Sequence, residues 1–92
     1  MSGLREMTMH IDNILEQRGE RYGSFEHNAA TVQALKKVLH MHDNWLHLAY
    51  DQREALDMIC HKMARIMNGD PNYVDSWADI AGYSTLVANR LK

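Results

Sequence analysis

Apolar residues recur along this chain at spacings of three and four, and nowhere do they alternate with polar residues over the length of a strand. That period belongs to amphipathic helices. Taken in order, it predicts a short first helix over about His10 to Arg18, with Ile11, Ile14 and Leu15 on one side and Gly19 as its stop. Met1 to Thr8 shows little periodicity and is expected to be disordered. The loop Glu20-Arg21-Tyr22-Gly23 leads to Ser24, a good N-cap for a second helix of about Phe25 to Met41. Phe25, Ala29, Val32, Leu35, Val38 and Leu39 share its apolar face. A loop over His42 to Tyr50 follows, with Trp45 and Leu48 expected to cover one end of the core.

Asp51 is expected to open a third helix, with Asp51 to Glu54 read as a capping box. At 100° per residue, Leu56, Ile59, Cys60, Met63, Ile66 and Met67 form a broad apolar stripe, and Glu54, Asp57, His61 and Arg65 lie opposite. Asn68-Gly69 ends that helix. The last helix starts either at Asp70-Pro71, with Asp70 as cap, or later, with Asp75 as cap. One face carries Trp77, Ile80, Ala81, Ser84, Val87, Ala88 and Leu91, and the other Asp75, Asp79, Gly82, Tyr83, Leu86 and Arg90. The second face is not purely polar, so both are expected to meet protein. The expected fold is all-α: one domain over residues 1–92, a small bundle of three long helices plus a short N-terminal one, completed by oligomerisation.

Composition narrows this picture. A chain of 92 residues fills one domain and buries a limited share of its surface, which favours a homo-oligomer. Seven methionines suit an adaptable core or interface. The net charge of −2 gives no electrostatic case for DNA, RNA or an anionic membrane. A single cysteine, Cys60, excludes an intrachain disulfide, and its apolar surroundings suggest a small buried hydrophobe. There is no apolar run of about 18 residues and no apolar signal region at the start, so a cytoplasmic protein is expected.

The candidate chemistry lies on the last two helices. Glu54 and Asp57 are one helical turn apart, as are Asp75 and Asp79 on the next helix. Packed face to face, two such helices can aim several carboxylate oxygens at one Mg²⁺, with Mn²⁺ as a substitute and waters left for phosphates. Lys62 and Arg65 would then neutralise phosphate charge, and His61 and Tyr83 would line the pocket. The same acids lie where solvated charges belong, and Glu54 or Asp75 would serve equally as helix caps. The pattern leaves both readings open. No zinc-type spacing, Gly-rich phosphate loop or nucleophile elbow is present.

Arg21-Tyr22-Gly23, Phe25, Glu54-Ala55-Leu56-Asp57, His61-Lys62, Arg65-Ile66, Asn68-Gly69-Asp70-Pro71, Asp75-Ser76-Trp77 and Asp79-Ile80-Ala81-Gly82-Tyr83 together resemble a family of small phage and prophage proteins. That family is similar to the nucleotide modification associated domains of phage genomes, and the resemblance runs from about Ile14 to Leu91. More distantly, the chain is similar to the all-α nucleoside triphosphate pyrophosphohydrolases of the MazG and dUTPase-like group. Those bind Mg²⁺ through Glu-x-x-Glu on one helix and Glu-x-x-Asp on the next. Glu54 and Asp57 match the first pair and Asp79 the last acid, while Ser76 stands where the third acid belongs, with Asp75 beside it. This likeness implies an oligomer that converts a nucleoside triphosphate to monophosphate and pyrophosphate. The departure at Ser76 fits the alternative, a non-catalytic accessory protein that binds a nucleotide or a host protein.

Overall fold

The computed structural model describes residues 2–92, with side chains from His10 onward. Four α-helices follow one another: α1 (Ser2–Tyr22), α2 (Phe25–His40), α3 (Tyr50–Asn68) and α4 (Val74–Leu91). A short 3-10 turn, Asp43–His47, bridges α2 and α3. The fold is therefore a small all-α bundle. No helix among the described residues is long and apolar enough to cross a membrane.

Helix α3 is the centre. Both α2 and α4 pack along it, and the end of α1 rests on its last turn. Asp51 near the start of α3 meets Arg90 near the end of α4, and Lys62 meets Asp79, so these two helices run antiparallel. Asn28 near the start of α2 reaches Asn68 at the end of α3, so this pair is antiparallel as well. The buried side chains among the described residues are small: Val32, Ala55, Cys60, Ala64 and Ser76. Ala55, Cys60 and Ala64 let neighbouring helices approach α3 closely, and larger apolar groups stay half-buried around them.

Several helix ends differ from the sequence reading. α1 does not stop at Gly19. A glycine inside a helix costs only about 1 kcal/mol, and the N–H of Gly23 still bonds the carbonyl of Gly19 at 2.9 Å. The stop is Gly23, whose φ of +80° is the left-handed conformation that ends helices. Met1 lies outside the described residues, as do the side chains up to Met9; the backbone from Ser2 is already helical, so most of the segment expected to be disordered belongs to α1, which starts well before His10. Ser24 caps α2 as expected, its hydroxyl accepting from the His27 N–H at 3.2 Å.

α3 begins at Tyr50, not Asp51. Ala49 precedes it, and the Gln52 side chain accepts the Ala49 N–H at 2.8 Å. Half of a capping box is thus present, two residues upstream of the expected one, and Asp51 is left to pair with Arg90. Neither expected start of α4 is used. Asp70 shapes a turn by accepting the Asn72 N–H on its side chain and the Tyr73 N–H on its carbonyl, at 2.9 and 3.2 Å. Asp75 sits inside the first turn, where its charge suits the helix dipole.

The α4 face that meets α3 is Ser76, Ile80, Tyr83 and Val87. It falls between the two faces drawn from the pattern, because a small serine can be buried at a close contact and a hydrophobicity pattern counts it as polar. Trp45 and Leu48 are half-buried, as expected, at one end of the layer. Arg53 holds that end by donating to the carbonyls of Trp45 and Leu46, at 3.1 and 2.7 Å.

Candidate functional site

The four candidate metal ligands do not converge within the chain. Asp57 faces α2 and makes a long contact, 3.4 Å, with His40 Nε2. Asp79 faces α3 and pairs with Lys62 at 2.9 Å. Asp75 lies beside Tyr73, and its carboxylate, followed by Tyr22, pushes the Tyr73 phenol up from its ordinary value. Glu54 is exposed. Among the described residues, no three His, Cys, Asp or Glu side chains are gathered as a metal ion requires. The acids share helical registers, as their spacing says, but each meets a different neighbour.

The four candidate phosphate contacts separate too. Lys62 is nearly buried, 11% exposed, and committed to Asp79. Tyr83 is half-buried on the opposite edge of α3, by Glu54, Leu86 and Arg90. His61 and Arg65 stay together. They face a cleft on the α1–α2 side of α3 that comprises two adjoining parts of about 330 and 200 Å³. Arg18, Tyr22, Ser24, Phe25 and Arg65 line the larger part. Phe25, Asn28, Gln33, His61 and Arg65 line the smaller. Neither lining includes a carboxylate.

Local structure explains why these residues meet. The α1 end turns at Gly23 directly against Asn68, and Gly69 lies against Arg21 and Tyr22 so closely that neither glycine has room for a Cβ. The Asp70 N–H donates to the Arg21 carbonyl at 2.8 Å. Inside this junction the Asn68 amide donates to Asn28 Oδ1, Thr31 Oγ1 and its own helix at Ala64, at 3.2, 3.1 and 3.0 Å. Tyr22 is thereby fixed in the cleft wall, edge-on to Tyr73 with ring centroids 5.8 Å apart.

The Arg65 guanidinium stacks over the Tyr22 ring at 4.5 Å, and Arg18 lies 5.8 Å from the same ring. Stacking occupies the flat face of a guanidinium and leaves its in-plane N–H donors free for a carboxylate or phosphate. Phe25, 86% exposed, stands beside them with its ring in solvent. His61 takes a proton less readily than a free imidazole, first because it is partly buried and then because Lys36 and Arg65 repel the charge. The local field is thus positive. Cys60 behaves differently: burial and then the nearby Asp57 push its thiol up, so it packs as an inert hydrophobe.

Sequence reasoning picked out Arg65 and His61 but missed Arg18, Tyr22 and Phe25. Phe25 was expected on the apolar face of α2, but at the first position of its helix the ring has little to pack on and is 86% exposed, and Val38 of the same face is 57% exposed. The part played by Tyr22 depends on the junction between α1 and α3, which no spacing along the chain reveals.

A family described as "Domain of unknown function (DUF6378)" matches residues 7–91, so the chain belongs to that family. No curated protein matches the chain, and no solved structure does.

Proposed function

We propose that this DUF6378 chain is a non-catalytic nucleotide-binding protein, with the nucleotide held in the cleft between α1, α2 and α3. Arg18 and Arg65 offer fork-shaped donors to the phosphates. Phe25 offers an exposed ring on which a base stacks. Gln33 and His61 supply polar groups farther along the same cleft. One observation carries the reading: a cleft with two arginines and a free aromatic ring holds no carboxylate, whereas Asp57 and Asp79 each lie against a basic side chain. Hydrolysis through Mg²⁺ on Glu54, Asp57, Asp75 and Asp79 rests on the spacing of those acids and on the resemblance.

The test is calorimetric titration of nucleoside mono-, di- and triphosphates with and without Mg²⁺, run beside a pyrophosphate-release assay. Binding that persists in EDTA, with no pyrophosphate formed, supports the proposal. Mg²⁺-dependent pyrophosphate release that Asp57→Ala or Asp79→Ala abolishes would replace it with the enzyme. No binding of any nucleotide at millimolar concentration would remove both.

A further inference from the structure

The chain exposes more surface than its mass requires. A compact monomer of 10.7 kDa would expose about 5,500 Å² by the usual size scaling, and this one exposes 7163 Å². Its radius of gyration is 16.8 Å, against about 12 Å for a compact domain of this length. The projecting α1 accounts for part of the excess, since its side chains from His10 to Arg21 are all exposed. Exposed apolar side chains elsewhere include Phe25, Val38 and Met41 at α2, Leu46 in the 3-10 turn, and a set on α3 and α4.

Leu56, Ile59, Met63 and Met67 follow one another along the side of α3 that faces away from His61 and Arg65, taking 100° per residue. Leu56 and Ile59 border an apolar groove of about 260 Å³ whose other wall is α4, at Ser84 and Val87. Trp77 and Leu91 lie on that same side of α4. Met63, Met67, Trp77 and Leu91 are 42, 75, 55 and 61% exposed. Leaving such a face in water is unfavourable by about 25 cal/mol for each Å².

We propose that a second copy of this chain covers the α3–α4 face, making a two-fold symmetric homodimer. Two observations favour a copy over a different partner. The excess, roughly 1,700 Å² per chain, is shared between α1 and the rest of the chain, and it leaves room for the about 1,000 Å² or more that each subunit of an obligate homodimer buries. On this face neither helix carries Asp, Glu, Lys or Arg, so the same surface can meet itself without like-charge repulsion. Exposed methionines provide adaptable packing for such a contact. The inference is independent of the nucleotide reading, because the cleft lies on the other side of α3.

Sedimentation velocity on the full chain, from one to 100 µM, tests it together with three variants. The wild type is expected at about 21 kDa, twice the chain mass. Met63→Glu and Met67→Glu, each in solvent in the isolated subunit, are expected to raise the dissociation constant on the order of 100-fold, by burying unpaired charge in the dimer. Leu15→Glu on α1 is expected to leave it unchanged. A monomeric wild type throughout the range would overturn the proposal. So would a dimer that survives both methionine changes, or one that only Leu15→Glu dissociates. Purification of the wild type in a stoichiometric complex with another protein, released by Met67→Glu, would overturn the choice of a second copy.

Discussion

Gly69 lies against the peptide joining Tyr22 to Gly23, so that a Cβ on Gly69 would sit 2.7 Å from the Gly23 nitrogen. This backbone contact seats the end of α1 on the end of α3 and fixes one wall of the cleft. At Gly23 the conformation adds a second demand, since φ is +80°. Gly23→Ala and Gly69→Ala are each expected to destabilise the fold by about 2–4 kcal/mol, from backbone strain and displacement. For a domain of this size each kcal/mol lowers Tm by about 4–8 °C. Gly19→Ala, with nothing near its Cβ, is expected to be neutral or slightly stabilising. Thermal melts of the three variants check the contrast, and equal effects would contradict it.

Asn68 stabilises the same junction through its side chain. Its two amide hydrogens serve three acceptors on two helices, so one hydrogen is shared. Asn68→Ala is expected to cost about 1–3 kcal/mol, because it strands partly buried acceptors. A double-mutant cycle with Asn28→Ala in urea unfolding should show a coupling of at least about 0.5 kcal/mol. Strict additivity would mean that the two asparagines act separately.

Lys62 and Asp79 offer a way to separate structure from catalysis. Asp79 is about half exposed, 48%, so solvent screens the pair, and Asp79→Asn is expected to lower stability by about 1 kcal/mol or less. Nucleotide affinity should stay within about twofold, because Asp79 lies off the cleft. A large, Mg²⁺-dependent loss of affinity in isothermal titration would instead make Asp79 a metal ligand.

His61 gives the fold and the cleft opposite pH dependences. Burial, Lys36 and Arg65 hold its folded value below the ordinary 6.5. In the window just below 6.5 the unfolded chain therefore binds more protons. Its stability contribution is complete above 6.5 and is lost as pH falls through the folded value. A bound phosphate reverses the local field, so nucleotide binding should take up a proton and strengthen between pH 7.5 and 6. Melts and titrations across that range, with His61→Gln as control, measure both slopes. An identical pH response in the variant would rule His61 out of either effect.

The parts of the fold that could be read from the sequence were those set by residues a few places apart. Ser24 capped α2 and Asn68-Gly69 ended α3. Of the α3 stripe, however, only Cys60 is buried, Leu56, Ile59 and Ile66 are half-buried and Met63 and Met67 are exposed, because α2 packs on the side of α3 that carries Asp57 and His61. Gly19 misled because a mid-helix glycine and a stopping glycine look alike until φ is known, and the stop belonged to Gly23. Asp51 misled because Gln52, an equally good partner for a helix start, closed the turn two residues earlier. On α4, burial of Ser76 rotated the contact face away from both apolar patterns. At the candidate site, spacing correctly placed Asp57 and Asp79 one turn from Glu54 and Asp75. It carried no information about His40 and Lys62, which reach those acids from other helices. The arginine and tyrosine motifs around Tyr22 and Asn68 likewise depend on a junction between segments more than forty residues apart.

The cleft itself is tested most directly by metal-free titration of a nucleoside triphosphate into the wild type and Phe25→Ala. Phe25 is 86% exposed, so its removal should leave the melting temperature unchanged. Loss of a base–ring stack, worth about 1–3 kcal/mol, should weaken binding by about 5- to 150-fold. Equal affinity in the two proteins would contradict the assignment of the nucleotide to this cleft.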